Sequence, residues 1–229
     1  MLLDTESSSR EKRCVSKAER SIYAATYSLI LRDPGTGWIG SAIASKYLAV
    51  GASVSHSMAG VGVVHGQFWC CHDTANRILK NLAWRMSVND ALKTALAQDP
   101  LPEKRQLLVM DWMGNTVVHT GADPTPITAQ ESRQDLAVAG NTLVSAEVID
   151  AMLRSLNMSA GEPMLLRLIR ALEAGERVGG DSRGKQSAAV RIVQPPEPPT
   201  SDDCLDLRVD DHTDPIAELH RLYELAVKK

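Results

Sequence analysis

The sequence predicts a mainly antiparallel, layered α/β sandwich. Period-two apolar alternation joined by tight-turn chemistry predicts hairpins. Amphipathic helices come in consecutive pairs rather than singly between strands. The resulting order is strands, two helices, strands, two helices, strand and a terminal helix, which argues against repeating βαβ units.

The first strand is Thr26–Arg32. Tyr27, Leu29 and Leu31 fall on one side and Ser28, Ile30 and Arg32 on the other. The stretch "DPGTG" (Asp33–Gly37) is turn chemistry, and "WIGSAIAS" reads as the returning strand. Its Gly and Ala content predicts close packing against another layer. "AVGASV" and "GVGVVHGQF" read as further strands. From Cys71 the period changes. Ile78, Leu79, Leu82, Ala83 and Met86 follow helical spacing, as do Val88, Ala91, Leu92, Ala95 and Leu96 behind Ser87 as N-cap. "DPLPEK" breaks that run. "RQLLVMD" and "TVVHTG" flank the turn Met113-Gly114-Asn115, and "DLAVAGN" reads as a strand that ends in a loop.

Two more helices follow. One starts at Ser145 and places Val148, Ile149, Met152, Leu153 and Leu156 on one face; the other carries Leu165, Leu168, Ile169 and Leu172 and stops at Gly175. "SAAVRIV" is a strand, "QPPEPPTSDD" a stiff Pro-rich connection, and "LDLRVDD" a short strand. The closing helix "DPIAELHRLYELAV" turns Ile216, Leu219, Leu222 and Leu225 inward.

The 229 residues suffice to bury a core, and 44% apolar with 23% charged residues is ordinary globular composition. A net charge of -3 without a basic run points away from nucleic acid. No stretch of eighteen apolar residues spans a membrane, and residues 1–25 lack a secretory h-region, so they read as a solvated extension or a removed segment. Of the four cysteines, Cys14, Cys70, Cys71 and Cys204, the adjacent Cys70 and Cys71 would pair only with strain. A reducing compartment, the cytoplasm, is expected.

No GxxxxGK[ST], no GxGxxG opening a helix and no HExxH is present, and no α/β-hydrolase nucleophile elbow is expected, which removes the usual nucleotide, zinc-protease and α/β-hydrolase readings. "FWCCHD" (Phe68–Asp73) sets two thiols beside His72, with His65 nearby. Adjacent cysteines suit one tetrahedral zinc poorly, so the reading is two thiols and no metal. Asp206, Asp210, Asp211, His212 and Asp214 are dense enough to attract a hard cation. Just before Pro215 they read better as a helix cap. No cofactor is expected. "GGDSRGKQSAA" (Gly179–Ala189) is the most pointed loop: Gly179, Gly180 and Gly184 allow positive φ, while Asp181, Arg183, Lys185, Gln186 and Ser187 supply charges and donors.

Thr26 stands where the apolar pattern begins. A threonine hydroxyl becomes a nucleophile when a base adjoins it, and a free α-amine on the same residue, with a pKa near 8, is such a base. That chemistry requires the peptide bond before Thr26 to be absent. It also needs an oxyanion hole and is helped by a cation that lowers the amine pKa. Lys46 at the end of the second strand is the candidate cation. Gly140 and Asn141 are the candidate oxyanion region.

The segments "TYSLILRDPGTGWIGSAIASKYLAVGA", "AGVGVV", "RQLLVMD", "VAGNTLVSAEVIDAM", "ALEAGERVGGDSRGKQSAAVRIV" and "DLRVDDHTDPIAEL" resemble, in order, the bacterial and archaeal family called domain of unknown function 1028, from Thr26 to the C-terminus. The resemblance implies an α+β, N-terminal-nucleophile (Ntn) hydrolase-like fold, as in proteasome β-subunits: a four-layer αββα sandwich of two mainly antiparallel sheets, with residues 26–229 as one domain. Members of that family commonly begin Met-Thr, so removal of Met frees a threonine at the place of Thr26. By the analogy, Thr26 is nucleophile and base, Lys46 the cation, Gly140 and Asn141 the oxyanion region, and Asp181 and Ser187 order the amine. The implied activity is an amidohydrolase acting on a small-molecule amide or a peptide-like bond, the alternative is a non-catalytic binding or scaffold protein, and a homo-oligomer is in keeping with either. Two features depart from the pattern: the 25 residues ahead of Thr26, and "FWCCHD" in place of an Asn/Pro-containing loop.

Overall fold

The structure is a computed structural model and describes residues 22–123, 127–194 and 204–227. The Pro-rich connection at 195–203 and the first 21 residues lie outside the described residues.

Two antiparallel sheets stack face to face between two helical layers, the four-layer α+β sandwich that the element order and the resemblance predict. One sheet has six strands in the order β11-β10-β3-β2-β9-β8. Its centre is the predicted hairpin β2 (Tyr27–Arg32) and β3 (Ile39–Ser45), flanked by β9 (Leu136–Gly140) and β10 (Ser187–Val193), with β8 (Ala129–Arg133) and β11 (Cys204–Val209) at the edges. The other sheet runs β1-β5-β6-β7, built from β1 (Ile22–Ala24), β5 (Gly62–Cys70), β6 (Arg105–Asp111) and β7 (Thr116–Thr120). A further short strand, β4 (Ser55–Met58), also pairs with β5.

Period two distributes the side chains between layers. Tyr27, Leu29 and Leu31 join Ala42, Ala44, Val138 and Val190 in a core closed by α4 (Glu147–Met158), α5 (Met164–Arg177) and α6 (Pro215–Val227). Val64, Leu107 and Val109 face the opposite helical layer, α2 (His72–Ala83) and α3 (Val88–Leu96). Ile30, Ile39, Val63, Leu108, Met110, Ala137 and Ala139 fill the space between the sheets. The predicted close packing at the second strand is at Gly40, where a Cβ would lie 2.7 Å from both Leu168 and Met164 of α5.

Five local expectations are corrected. Leu225, expected to face inward, is 52% exposed near the end of α6. The stretch read as the strand "AVGASV" forms the short helix α1 (Val50–Val54), entered through Ala49 in the left-handed region, φ 52°. The Ser187 hydroxyl fixes that entry by accepting the Val50 N–H at 3.1 Å. Strands β4 and β8 carry mostly polar residues and give no apolar alternation. Helix α5 runs through Gly175 to Arg177, because Gly175 lets the helix approach Met152, Val148 and Tyr27, each within 3.3 Å of where a Cβ would stand. Ordered structure also begins before Thr26: Ile22–Ala24 pair antiparallel with Phe68–Cys70 of β5. Ser87 caps α3 as expected, accepting the Asp90 N–H.

Candidate active site

Thr26 and Ala25 link β1 in one sheet to β2 in the other, so the chain crosses between the two sheets at this point. Ala24, Ala25 and Thr26 are fully buried. The Ala25 carbonyl accepts two side-chain donors, the Ser45 hydroxyl at 2.5 Å and Arg183 Nη2 at 2.9 Å. Two donors on the carbonyl of one peptide bond, beside the hydroxyl of the next residue, form an arrangement able to stabilise an oxyanion. The Thr26 hydroxyl donates to the Ala24 carbonyl at 2.8 Å.

Arg183 is held in place by Asp181. Asp181, 2% exposed, accepts from the Arg183 backbone N–H and from Nε and Nη2, and takes the Lys46 backbone N–H at 3.1 Å. Burial alone would lower the Arg183 pKa, but the hydrogen bonds and charge of Asp181 raise it above its ordinary value. Its guanidinium also lies 5.5 Å over the Tyr23 ring. Tyr23 in turn meets Phe68 edge-on at 5.4 Å and Trp69 at 5.5 Å, and its hydroxyl is 3.5 Å from Thr142 Oγ1.

The sequence-predicted residues gather at this end of the sandwich in different roles. Asn141 donates its backbone N–H to the Thr26 carbonyl (3.0 Å) and its side-chain amide to Gln106 Oε1 (2.9 Å). Gly140 lies opposite Tyr27, and its carbonyl accepts from Gln106. Both residues brace the strand that follows Thr26, whereas the donors that reach Ala25 are Ser45 and Arg183. Lys46 turns its ammonium to the Lys185 carbonyl at 3.3 Å; only its backbone joins the site, through Asp181. Ser187 donates to the Tyr47 carbonyl and orders the turn into α1. The stretch Gly180-Asp181-Ser182-Arg183-Gly184 has G-x-S-x-G spacing, but it follows a helix and precedes a strand, the reverse of a nucleophile elbow, and Ser182 is exposed. Among the described residues, no group of three or more His, Cys, Asp and Glu is placed to hold a metal.

Of the five non-glycine residues in the left-handed region among the described residues, three lie around β1, Phe68 (φ 70°), Thr142 (φ 54°) and Ala49 (φ 52°); Arg85 and Asp135 lie in turns elsewhere. Phe68 pairs with Ala24, Thr142 approaches Tyr23, and Ala49 enters the helix whose Val50 and Val54 pack on Ala24. Such residues cost about 1–3 kcal/mol each and cluster at functional sites.

Behind Asn141 a directed polar chain crosses the gap between the sheets. Asn141 and Gln67 both donate to Gln106 Oε1, at 2.9 and 2.6 Å, and the Ser28 hydroxyl donates to Gln67 Oε1 at 2.7 Å. That commits the only Ser28 proton, so His65 Nδ1, 3.0 Å away, is the donor, and the lone pair of Nε2 is left buried without a partner. Burial, with the neighbouring His56, pushes the His65 pKa down to about 3. An unfolded histidine protonates near pH 6.5. Between these values the unfolded chain holds the extra proton, so stability falls as pH falls, by about 1.4 kcal/mol per unit from His65 alone. Urea unfolding at pH 7 and pH 5 is expected to display this loss, and His65→Gln is expected to reduce the slope.

The model of the family of unknown function DUF1028 matches residues 26–219, and the chain belongs to that family. The match starts at Thr26, so β1 lies outside it. The crystal structure of a DUF1028 protein from Silicibacter pomeroyi is similar, with a TM-score of 0.78 and 29% identity over 88% of this chain and 89% of that one. No curated protein matches the chain. Among the described residues, no helix is long and apolar enough to cross a membrane.

Proposed function

We propose that the protein is an amidohydrolase with Thr26 as nucleophile, and that the first amide it opens is its own Ala25–Thr26 peptide bond. The observation that carries this reading is the pair of donors, Ser45 and Arg183, on the Ala25 carbonyl. Thr26 Oγ1 adds to the Ala25 carbonyl carbon while Ser45 and Arg183 hold the oxyanion. The C–N bond then breaks, the hydroxyl proton passes to the Thr26 nitrogen, and Ala25 is left as an ester on Oγ1. Water hydrolyses that ester, giving an Ala25 carboxylate and a free Thr26 amine. The amine then serves as the base for further turnovers on a small-molecule amide or peptide-like substrate, each passing through an acyl ester on Thr26. Arg183 takes the place that the sequence suggested for Lys46 as the cation beside the amine. The unpaired thiols of Cys70 and Cys71 support a cytoplasmic setting.

Intact mass tests the reading. Purified full-length protein is expected to lose residues 1–25, and Thr26→Ala is expected to keep them while unfolding at the same urea concentration as the unprocessed chain. Retention of the segment by both proteins sinks the reading and favours a non-catalytic binding protein of the same fold.

A further inference from the structure

Strands β1 and β4 lie along one edge of β5, one behind the other. β4 pairs with Gly62–His65 and β1 with Phe68–Cys70, while β6 occupies the opposite edge. When residues 1–25 leave, the Phe68–Cys70 half of that edge loses its partner strand. A bare edge of this kind binds extended peptides by strand addition, with main-chain hydrogen bonds for affinity and side-chain pockets for selection. The pockets are already defined by their present occupants. Tyr23, 37% exposed, lies against Phe68 and Trp69 beneath the Arg183 guanidinium. The Ala24 methyl sits in a closed apolar cluster of Ile43, Val50, Val54 and Cys70. Ala25, fully buried, offers its carbonyl to Ser45 and Arg183.

We infer that the groove now filled by Tyr23-Ala24-Ala25 is the acyl-side substrate site, and that it selects extended peptide-like amides with small residues in the two positions before the scissile bond and an aromatic residue in the third. This rests on the Thr26 reading above. The cluster around Ala24 is closed on every side by β3, α1 and β5, so a larger residue has nowhere to go without displacing Val50 or Val54. The third position is open to solvent on one side and lined by two aromatic rings and a cation, which suits a flat, electron-rich ring. Ser45 and Arg183, released from Ala25, are left to meet the carbonyl of the incoming amide.

The test uses full-length protein, with its N-terminus read by intact mass before assay, and three acetylated aminocoumarin amides: Tyr-Ala-Ala, Tyr-Leu-Ala and Ala-Ala-Ala. The expected result is loss of residues 1–25 and cleavage of Tyr-Ala-Ala with kcat/KM higher than for Tyr-Leu-Ala by about 10- to 200-fold, the range that a methylene-scale misfit costs. Ala-Ala-Ala is expected to fall between the two. Processed protein that cleaves all three alike, or cleaves only non-peptide amides, overturns the substrate assignment and leaves Thr26 catalysis standing. Protein that keeps residues 1–25 and cleaves none of them overturns both, and the mass distinguishes the two failures.

Discussion

Replacing Arg183 with Met is expected to slow release of residues 1–25 by about 100- to 1000-fold, the usual cost of removing one oxyanion donor. Arg183 Nη2 is one of two donors on the Ala25 carbonyl, and its charge makes it the stronger. Time-resolved intact mass gives the rate. A purely structural role for Arg183 predicts something else, a drop in stability with no change in the rate of the folded protein. Ser45→Ala separates the two cases, because it removes the other donor and leaves the Asp181–Arg183 pair whole. It too is expected to slow release. Normal release by both variants would remove the oxyanion role from this pair.

The largest effect on stability is expected at Arg105→Ala, a loss of about 3–5 kcal/mol in urea unfolding. Arg105 and Asp99 are both buried and meet through Nε–Oδ2 and Nη2–Oδ1 bonds of 2.9 Å each. Burial opposes the charge on Asp99, but hydrogen bonds from Arg105, Thr74 and the Leu101 N–H outweigh it and hold the carboxyl below its ordinary range. Removing the guanidinium leaves a buried carboxylate with only the two neutral donors. The same shift means that the pair stabilises the fold above the ordinary carboxylate pKa and that this stabilisation is lost as pH falls through the lower folded value. Arg105 Nη1 also grips the Trp69 carbonyl at 2.6 Å, so the variant slackens the strand that carries β1. An Asp99→Leu/Arg105→Met double variant is expected to recover part of the loss, since an apolar pair strands no charge. A loss at the double variant equal to the sum of the losses at Asp99→Leu and Arg105→Met singly would show that the pair is uncoupled.

Most of the sandwich was legible because its strands are half of one layer and half of the next. The alternation at Tyr27–Arg32 encodes two different neighbours, helices on one side and a second sheet on the other. The strands that escaped notice lack that signal. β8 is a polar edge strand, and β1 is three residues long and held by a partner more than forty positions away. The valines at the two ends of α1 fit a strand as well as a helix, and a hydroxyl from distant Ser187 sets its first turn.

At the site, the glycine-rich loop and its Arg183 are legible in the sequence, but the target of Arg183 is not. Lys46, the cation the sequence suggests, lies one residue past Ser45. On a strand, one residue is the difference between facing a carbonyl and facing away. Gln67 carries no sequence signal and His65 stands out only as a neighbour of the two thiols, because a polar chain between two sheets exists only once both sheets are in register.

The left-handed backbone at Phe68 bears on solubility. An edge that sheds its covering strand is a template for pairing between copies of a protein, and long, flat edges are the dangerous ones. Here β4 still covers Gly62–His65, and the left-handed backbone of Phe68 bends the ladder where the bare part begins. The proposed release of residues 1–25 would uncover only Phe68–Cys70, the three residues now paired with β1, a stretch wide enough to seat a short peptide and too short to nucleate stacking of one molecule on the next.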